Sequence, residues 1–283
     1  MKNFYSKILR LIPKFIKIFL KKCYYAITAN YITRDVRGNK QDYLDIYNST
    51  KNKTYKRVNE FITNNNYKEI DKNFIENLAL ISQISIKKSS EANFQHGRLI
   101  YSILDSYIKK NLVELKNFLF VDVGTAKGFS SIIISKCAKD NDIDYSIFSF
   151  DIIPHNKKIY WNSIMDLEGK LSRETLLKDY TEFTKNINYI TGRTKNKLKD
   201  ISHYERINFV FLDGSHDYDD VKFEYNFIKN KQKKGDIIFF DDVTEGHYDG
   251  IVKLIDEINL SNQYEIQKIK STDFRGYAIA KKL

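Results

Sequence analysis

The sequence predicts an α/β fold, a doubly wound and mostly parallel seven-stranded sheet with a helical region ahead of it. Three observations carry this. From residue 117 onward, apolar runs of strand length alternate with helical stretches. The first run, in "FVDVGTAKGFSSI" (residues 120–132), leads through two glycines four residues apart into a helix, the opening of an α/β unit whose turn often holds a nucleotide. Two further runs close the chain around a short polar joint and read as an antiparallel hairpin at one edge.

The elements follow in order. In residues 1–40 ten Lys or Arg face the single acid Asp35, so this basic segment holds most of the net charge of +11 and leaves the remainder close to neutral. That distribution speaks against a broad nucleic-acid face. Lys7, Arg10, Lys14, Lys17 and Lys21 fall within about 80° of helical arc, with Ile8, Leu11, Phe15 and Phe19 among the residues opposite. Lysines interrupt the run too often for a membrane span or a signal peptide. Two readings stand level: a helix of residues 1–30 lying on an anionic membrane surface, or one docked on the protein's own core or a second subunit of a homo-oligomer. Pro13 weakens both.

Residues 41–112 form a helical accessory region, with helices over "YKRVNEFI", "NFIENLALISQI" and "LIYSILDSYIKK". His96 and Arg98 precede the last of these and read as capping or solvent contacts, or as contacts to a ligand. Residues 113–283 form the α/β domain. Its strands are "FLFVDV", "YSIFSFD", "INYITG", "INFVFLD" and "GDIIFFDD", and the hairpin is "YEIQKI" and "GYAIAKK". Continuous apolar strands imply a sheet covered on both faces. Cys23 and Cys137 are too few and too distant for a disulfide framework and fit a reduced cytoplasmic setting; Cys137 reads as a small core residue.

In such a sheet ligands sit beyond the carboxyl ends of the strands. The turn with Gly124 and Gly128 lacks the spacing of a dinucleotide fingerprint, but Asp151 ends the next strand, where an acid reaches a ribose diol. Asp213, His216, Asp241 and Asp242 lie past the fourth and fifth strands. Three converging carboxylates repel unless neutralised, and a hard divalent cation such as Mg²⁺ is the usual neutraliser, with His216 beside it as a base. Asp217, Asp219 and Asp220 read as dipole-complementing acids at the start of a helix.

Together "FVDVGTAKGFSS", "FSFD", "NYITGRT", "FVFLDGSHDYDDV" and "GDIIFFDDV" resemble the successive motifs of class I S-adenosylmethionine-dependent methyltransferases. Within that group the DGSH-DY segment with a later Asp-Asp pair is similar to macrocin-type sugar O-methyltransferases. The resemblance covers residues 115–283. It implies that Asp122, Gly124 and Gly128 line the methionine end of the cofactor and Asp151 its ribose, with Thr191, Gly192 and Arg193 near its adenine. It also implies that Asp213, Asp241 and Asp242 bind the metal and that His216 deprotonates a hydroxyl of a sugar-containing acceptor. The stretch "PHNKKIYWNSIMDLEGKLSR" is longer than metal-dependent catechol O-methyltransferases, which the segment resembles more distantly, require after the second strand, and it reads as a lid. Rival readings are a small-phenol or nucleic-acid methyltransferase, or a membrane-associated, non-catalytic ligand-binding protein on the same fold. The expected setting is cytoplasmic, at the inner face of the membrane if residues 1–30 bind it.

Overall fold

The computed structural model of the chain describes residues 33–88, 91–112, 115 and 117–283, so the expected basic helix of residues 1–30 lies outside the described residues. Four helices come first: α1 (Lys40–Lys51), α2 (Lys56–Asn64), α3 (Lys72–Ser82) and α4 (Gln95–Asn111). Helix α1 starts at Asn39, whose side chain accepts from Asp42 N while the Asp42 carboxylate accepts from Asn39 N, so each satisfies an orphan donor of the other. Asp71 caps α3 with its side chain alone, accepting from Phe74 N.

The sheet is built from β1 (Asn117–Val123), β2 (Asp144–Asp151), β3 (Ile187–Thr191), β4 (Phe209–Leu212), β5 (Ile237–Phe240), β6 (Tyr264–Thr272) and β7 (Arg275–Lys282). Its longer helices are α5 (Phe129–Asp140) after β1, α6 (Tyr218–Lys229) after β4 and α7 (Asp249–Leu260) after β5. The strand order is β3-β2-β1-β4-β5-β7-β6. The first five strands run parallel, and β7 lies antiparallel between β5 and β6. This is the doubly wound, mostly parallel seven-stranded sheet that the alternation of runs predicts. The order reverses between β1 and β4, which opens the crevice for a ligand at their carboxyl ends.

Alternate residues of a strand face opposite sides, and the aliphatic and aromatic positions sort accordingly. Phe118, Phe120, Phe209, Phe211 and Phe239 face a core shared with α2, α3, α4 and α5. Leu119, Val121, Val123, Val210, Leu212, Ile238 and Phe240 face α6 and α7. The accessory helices therefore bury their apolar faces on the sheet's own core, and removing one of these rings, as in Phe120→Ala, costs about 3–5 kcal/mol. Cys137 is fully buried in that core, where its thiol lies 3.5 Å from the Tyr101 carbonyl.

The long stretch after β2 is folded around the fully buried Trp161, with Ile153, Ile159, Leu171 and Leu176. Ile159 pairs with Leu171, and the Trp161 indole N–H donates to the Leu171 carbonyl at 2.9 Å. Asn162 binds the backbone of Ile86 both ways, donating at 2.7 Å and accepting at 3.0 Å. The expected lid is thus stitched to the loop that follows α3. Among the described residues no helix is long and apolar enough to cross a membrane.

Candidate functional site

The turn after β1 takes its shape from its neighbours. Gly124 has φ +92°, and a Cβ there would stand 2.2 Å from the Asp213 carbonyl oxygen. Both the left-handed backbone and the approach to the end of β4 demand glycine. Gly128, at φ +94°, is pressed in the same way by the Leu177 side chain. Between them Ala126 is left-handed with φ 45°, a costly conformation for a residue with a Cβ. It is held from both sides. Asp151 accepts from Ala126 N at 2.6 Å with one oxygen and from Ile153 N at 2.7 Å with the other. Arg173 is buried and donates to the Ala126 carbonyl at 2.8 Å and the Ile153 carbonyl at 3.2 Å. Its guanidinium lies over the rings of Trp161 and Tyr189.

Asp122 lies beneath this turn with no exposed surface. Burial pushes its carboxyl above the ordinary range, and hydroxyl donors Ser131, Ser130 and Ser149 counter that. Asp122 therefore braces β1 against α5 and β2 and acts on the crevice through the turn. Beside Asp151, Ile152 is 64% exposed, an apolar side chain left open at the mouth. Gly192 N donates to the Asp151 carbonyl at 2.8 Å, which joins the end of β3 to that of β2, while Thr191 and Arg193 are exposed there. Glu224 of α6 is buried below, accepting from Thr194 Oγ1 at 2.6 Å with one oxygen and lacking a hydrogen-bond partner on the other. Burial lifts its carboxyl to about 7, against the Thr194 hydrogen bond, with Asp220 adding to the rise.

The ends of β4 and β5 are arranged differently. Donor atoms of Asp213, His216 and Asp242 lie within 4.8 Å of one another. His216 Nε2 is 2.8 Å from Asp242 Oδ2, and its ring rests on Tyr248 with centroids 4.4 Å apart. Asp242 is left-handed at φ 57°, a strain of the kind that collects at functional sites. That bend separates the two adjacent acids. Asp241 turns away and is fully buried against Arg275 Nη2 at 2.6 Å, its other oxygen accepting from Asp242 N at 2.7 Å. Burial would lower the Arg275 guanidinium, but Asp241, Tyr277 and Asp242 hold it well above its ordinary value.

Asp213 is raised well above the usual carboxylate range by burial and by Asp241 and Asp242. Asp242 is held below it, because the His216 contact and Arg275 outweigh its burial. One acid driven toward protonation beside one held ionised, with an imidazole against them, is a donor set suited to a hard divalent cation. Asp241 stands outside that set, its charge already met by Arg275.

His96 is buried, stacked on Phe211 at 6.0 Å and edge-on to Phe129 at 4.9 Å. Arg98 binds Asn59, Gln95 and Glu69. Arg173 and Arg275 belong to the candidate site and are absent from the sequence reading. Neither lies in a motif, and the signal that points to Arg275 is the charge balance itself, since three converging acids call for a cation. A cavity of about 550 Å³ lies beside α3 and α5 and one of about 620 Å³ along β2 and β3, and neither is lined by Asp151, Asp213, His216 or Asp242. The site is therefore placed by its residues and not by cavity size.

Residues 121–243, from within β1 to just past Asp242, match a family described as a methyltransferase domain. No curated protein sequence matches the chain. Among solved structures the chain is similar to the O-methyltransferase TomG from Streptomyces achromogenes, involved in tomaymycin synthesis and solved with SAM. The identity is 13% over 81% of this chain and 96% of that one, with a TM-score of 0.53. It is also similar to the O-methyltransferase from Bacillus cereus solved with SAH, at 12% identity over 75% of this chain and 92% of that one, with a TM-score of 0.52. At these identities the likeness establishes the shared fold.

Proposed function

Starting from the methyltransferase domain of residues 121–243, we propose that this enzyme moves the methyl group of S-adenosylmethionine to a hydroxyl of a sugar-containing acceptor, assisted by a divalent cation such as Mg²⁺. The observation that carries the reading is the meeting of Asp213, His216 and Asp242 beside the first turn, across the point where the strand order reverses.

S-adenosylmethionine supplies an electrophilic methyl on a sulfonium. Asp151 keeps free lone pairs on both oxygens after its two backbone bonds, which suits a ribose diol. Ile152 offers an apolar face to the adenine, flanked by Thr191, Gly192 and Arg193. Gly124 and Gly128 shape the turn under the methionine end, with Asp122 bracing it from below. A divalent cation, held by Asp213 and Asp242, would supply Lewis acidity that lowers the pKa of the acceptor hydroxyl. His216 takes the proton, and Asp242, 2.8 Å from its Nε2, steadies the imidazolium that forms. The protein's remaining contribution is alignment of acceptor oxygen and methyl.

The sugar acceptor rests on the "DGSHDYDDV" segment and on a site whose donors favour an oxygen nucleophile. Residues 1–30, with five basic residues on one arc, would hold the enzyme at an anionic membrane surface on the cytoplasmic side, where lipid-linked glycans are found. Incubation with methyl-labelled S-adenosylmethionine and fractionated glycans, glycolipids, phenols and nucleic acids tests the reading. Label enters a glycan or glycolipid fraction; label confined to the phenol or nucleic-acid fractions would reject the sugar acceptor.

A further inference from the structure

Lys127 sits in the first turn, between Ala126 and Gly128, and is only 4% exposed. A buried ammonium ordinarily faces a carboxylate, because leaving water uncompensated is costly. Lys127 donates instead to Ser85 Oγ at 2.8 Å and to the Asn162 carbonyl at 3.1 Å, both neutral. Asp166 acts on it through space, but that carboxylate accepts from Trp161 N at 2.8 Å and Ser163 N at 3.2 Å. An ammonium has three N–H donors, so one remains for a ligand.

A peg joining the turn to Ser85 and Asn162 needs two hydrogen bonds and no charge. What a lysine adds to such a peg is a charge that an arriving anion would stabilise. The neighbouring residue Ala126 is bonded to Asp151, so the cation lies on the same turn as the carboxylate assigned to the ribose. Of the charged groups on S-adenosylmethionine, the sulfonium and the ammonium are cations and the carboxylate is the anion. We propose that Lys127 receives the carboxylate of the cofactor's amino-acid end, an inference that rests on the S-adenosylmethionine reading above. The position of the charge then explains a lysine where the turn's geometry alone asks for none.

In the free protein burial brings the Lys127 ammonium down to about 7, with Lys88 adding to the fall and Asp166 opposing it. Lys88, from the loop that follows α3, and Asp166, from the turn Ile164–Glu168, are the charged groups acting on it; Ser85 and Asn162 do not titrate. Near pH 8 Lys127 is largely neutral, and an arriving carboxylate favours the charged form. Binding therefore takes up a proton.

Calorimetry of the full chain with S-adenosylhomocysteine, its carboxamide and 5′-methylthioadenosine tests this. The wild-type protein binds S-adenosylhomocysteine at least about tenfold more tightly than the carboxamide, as loss of a buried charge pair requires. Proton uptake at pH 8, read from buffers of different ionisation enthalpy, accompanies the acid and not the amide. Lys127→Met abolishes the preference by weakening the acid alone. Equal wild-type affinity for acid and amide overturns the proposal, as does a Lys127→Met protein that keeps the preference. Should that variant not fold, absence of proton uptake in the wild type overturns it equally. Failure of all three ligands to bind the wild type instead removes the S-adenosylmethionine reading itself.

Discussion

The two sides of the crevice handle their acids in opposite ways. On the β1–β2 side, Asp122 accepts from three serine hydroxyls and Asp151 from two backbone N–H groups, so each carboxylate is met by neutral donors that also fix the turn. On the β4–β5 side, Asp213, Asp241 and Asp242 crowd together, with the Arg275 guanidinium on Asp241 and the His216 ring against Asp242. Neutral donors in fixed positions make a rigid seat that is ready before a ligand arrives. Crowded acids store electrostatic tension that a cation or a proton relieves. Under the proposed function, one side would hold the cofactor and the other would carry the reaction.

Removing the imidazole should break the reactive side with the largest effect. His216→Ala lowers turnover about 10²- to 10⁴-fold while leaving S-adenosylhomocysteine affinity nearly unchanged. Steady-state rates and calorimetry on the same preparation check both halves, and a variant as fast as the parent across the pH range takes the base role from His216.

Arg275 tests whether charge truly balances charge there. Arg275→Gln leaves Asp241 buried without its counter-ion and costs about 3–5 kcal/mol of stability in urea denaturation. Adding Asp241→Asn to the same chain restores most of it. A double variant no more stable than the single one would mean that Arg275 supports the hairpin by packing rather than by charge.

Glu224 sharpens the comparison from the holding side, since it is the acid there with an unpartnered oxygen. Its carboxyl is raised by burial to about 7, so the folded protein binds this proton more tightly than the unfolded chain. The group therefore destabilises the fold above pH 7, and the penalty fades as pH falls toward the ordinary carboxylate value near 4.3. Glu224→Gln raises stability by about 1–3 kcal/mol at pH 8 and by little at pH 4. Denaturation curves at the two pH values give the difference, and an equal gain at both would dismiss the titration.

The strands and the first turn were legible because local rules govern them: apolar runs, two glycines and an acid at a strand end. Helix starts such as Asp217–Asp220 were legible for the same reason, the acids there opening α6. The division of labour between Asp241 and Asp242 was not. Which of two adjacent acids faces His216 depends on the left-handed bend at Asp242 and on Arg275, 34 residues downstream of Asp241. The role of Arg173 is not legible either, since its bonds to Ala126 and Ile153 form only when the stretch after β2 closes around Trp161. His96 looked like a surface or ligand residue because a histidine among polar neighbours carries no sign of the aromatic rings that will cover it.

The contrast between a ready cofactor seat and a cation-dependent reactive side is tested most directly by titrating S-adenosylhomocysteine into the wild-type protein and Asp151→Ala in the presence of a strong chelator. The account predicts that the wild type binds as tightly with chelator as with Mg²⁺, and that Asp151→Ala weakens binding by about 1.5–3 kcal/mol in both conditions. Binding that vanishes on chelation, or that is indifferent to the loss of Asp151, would contradict it.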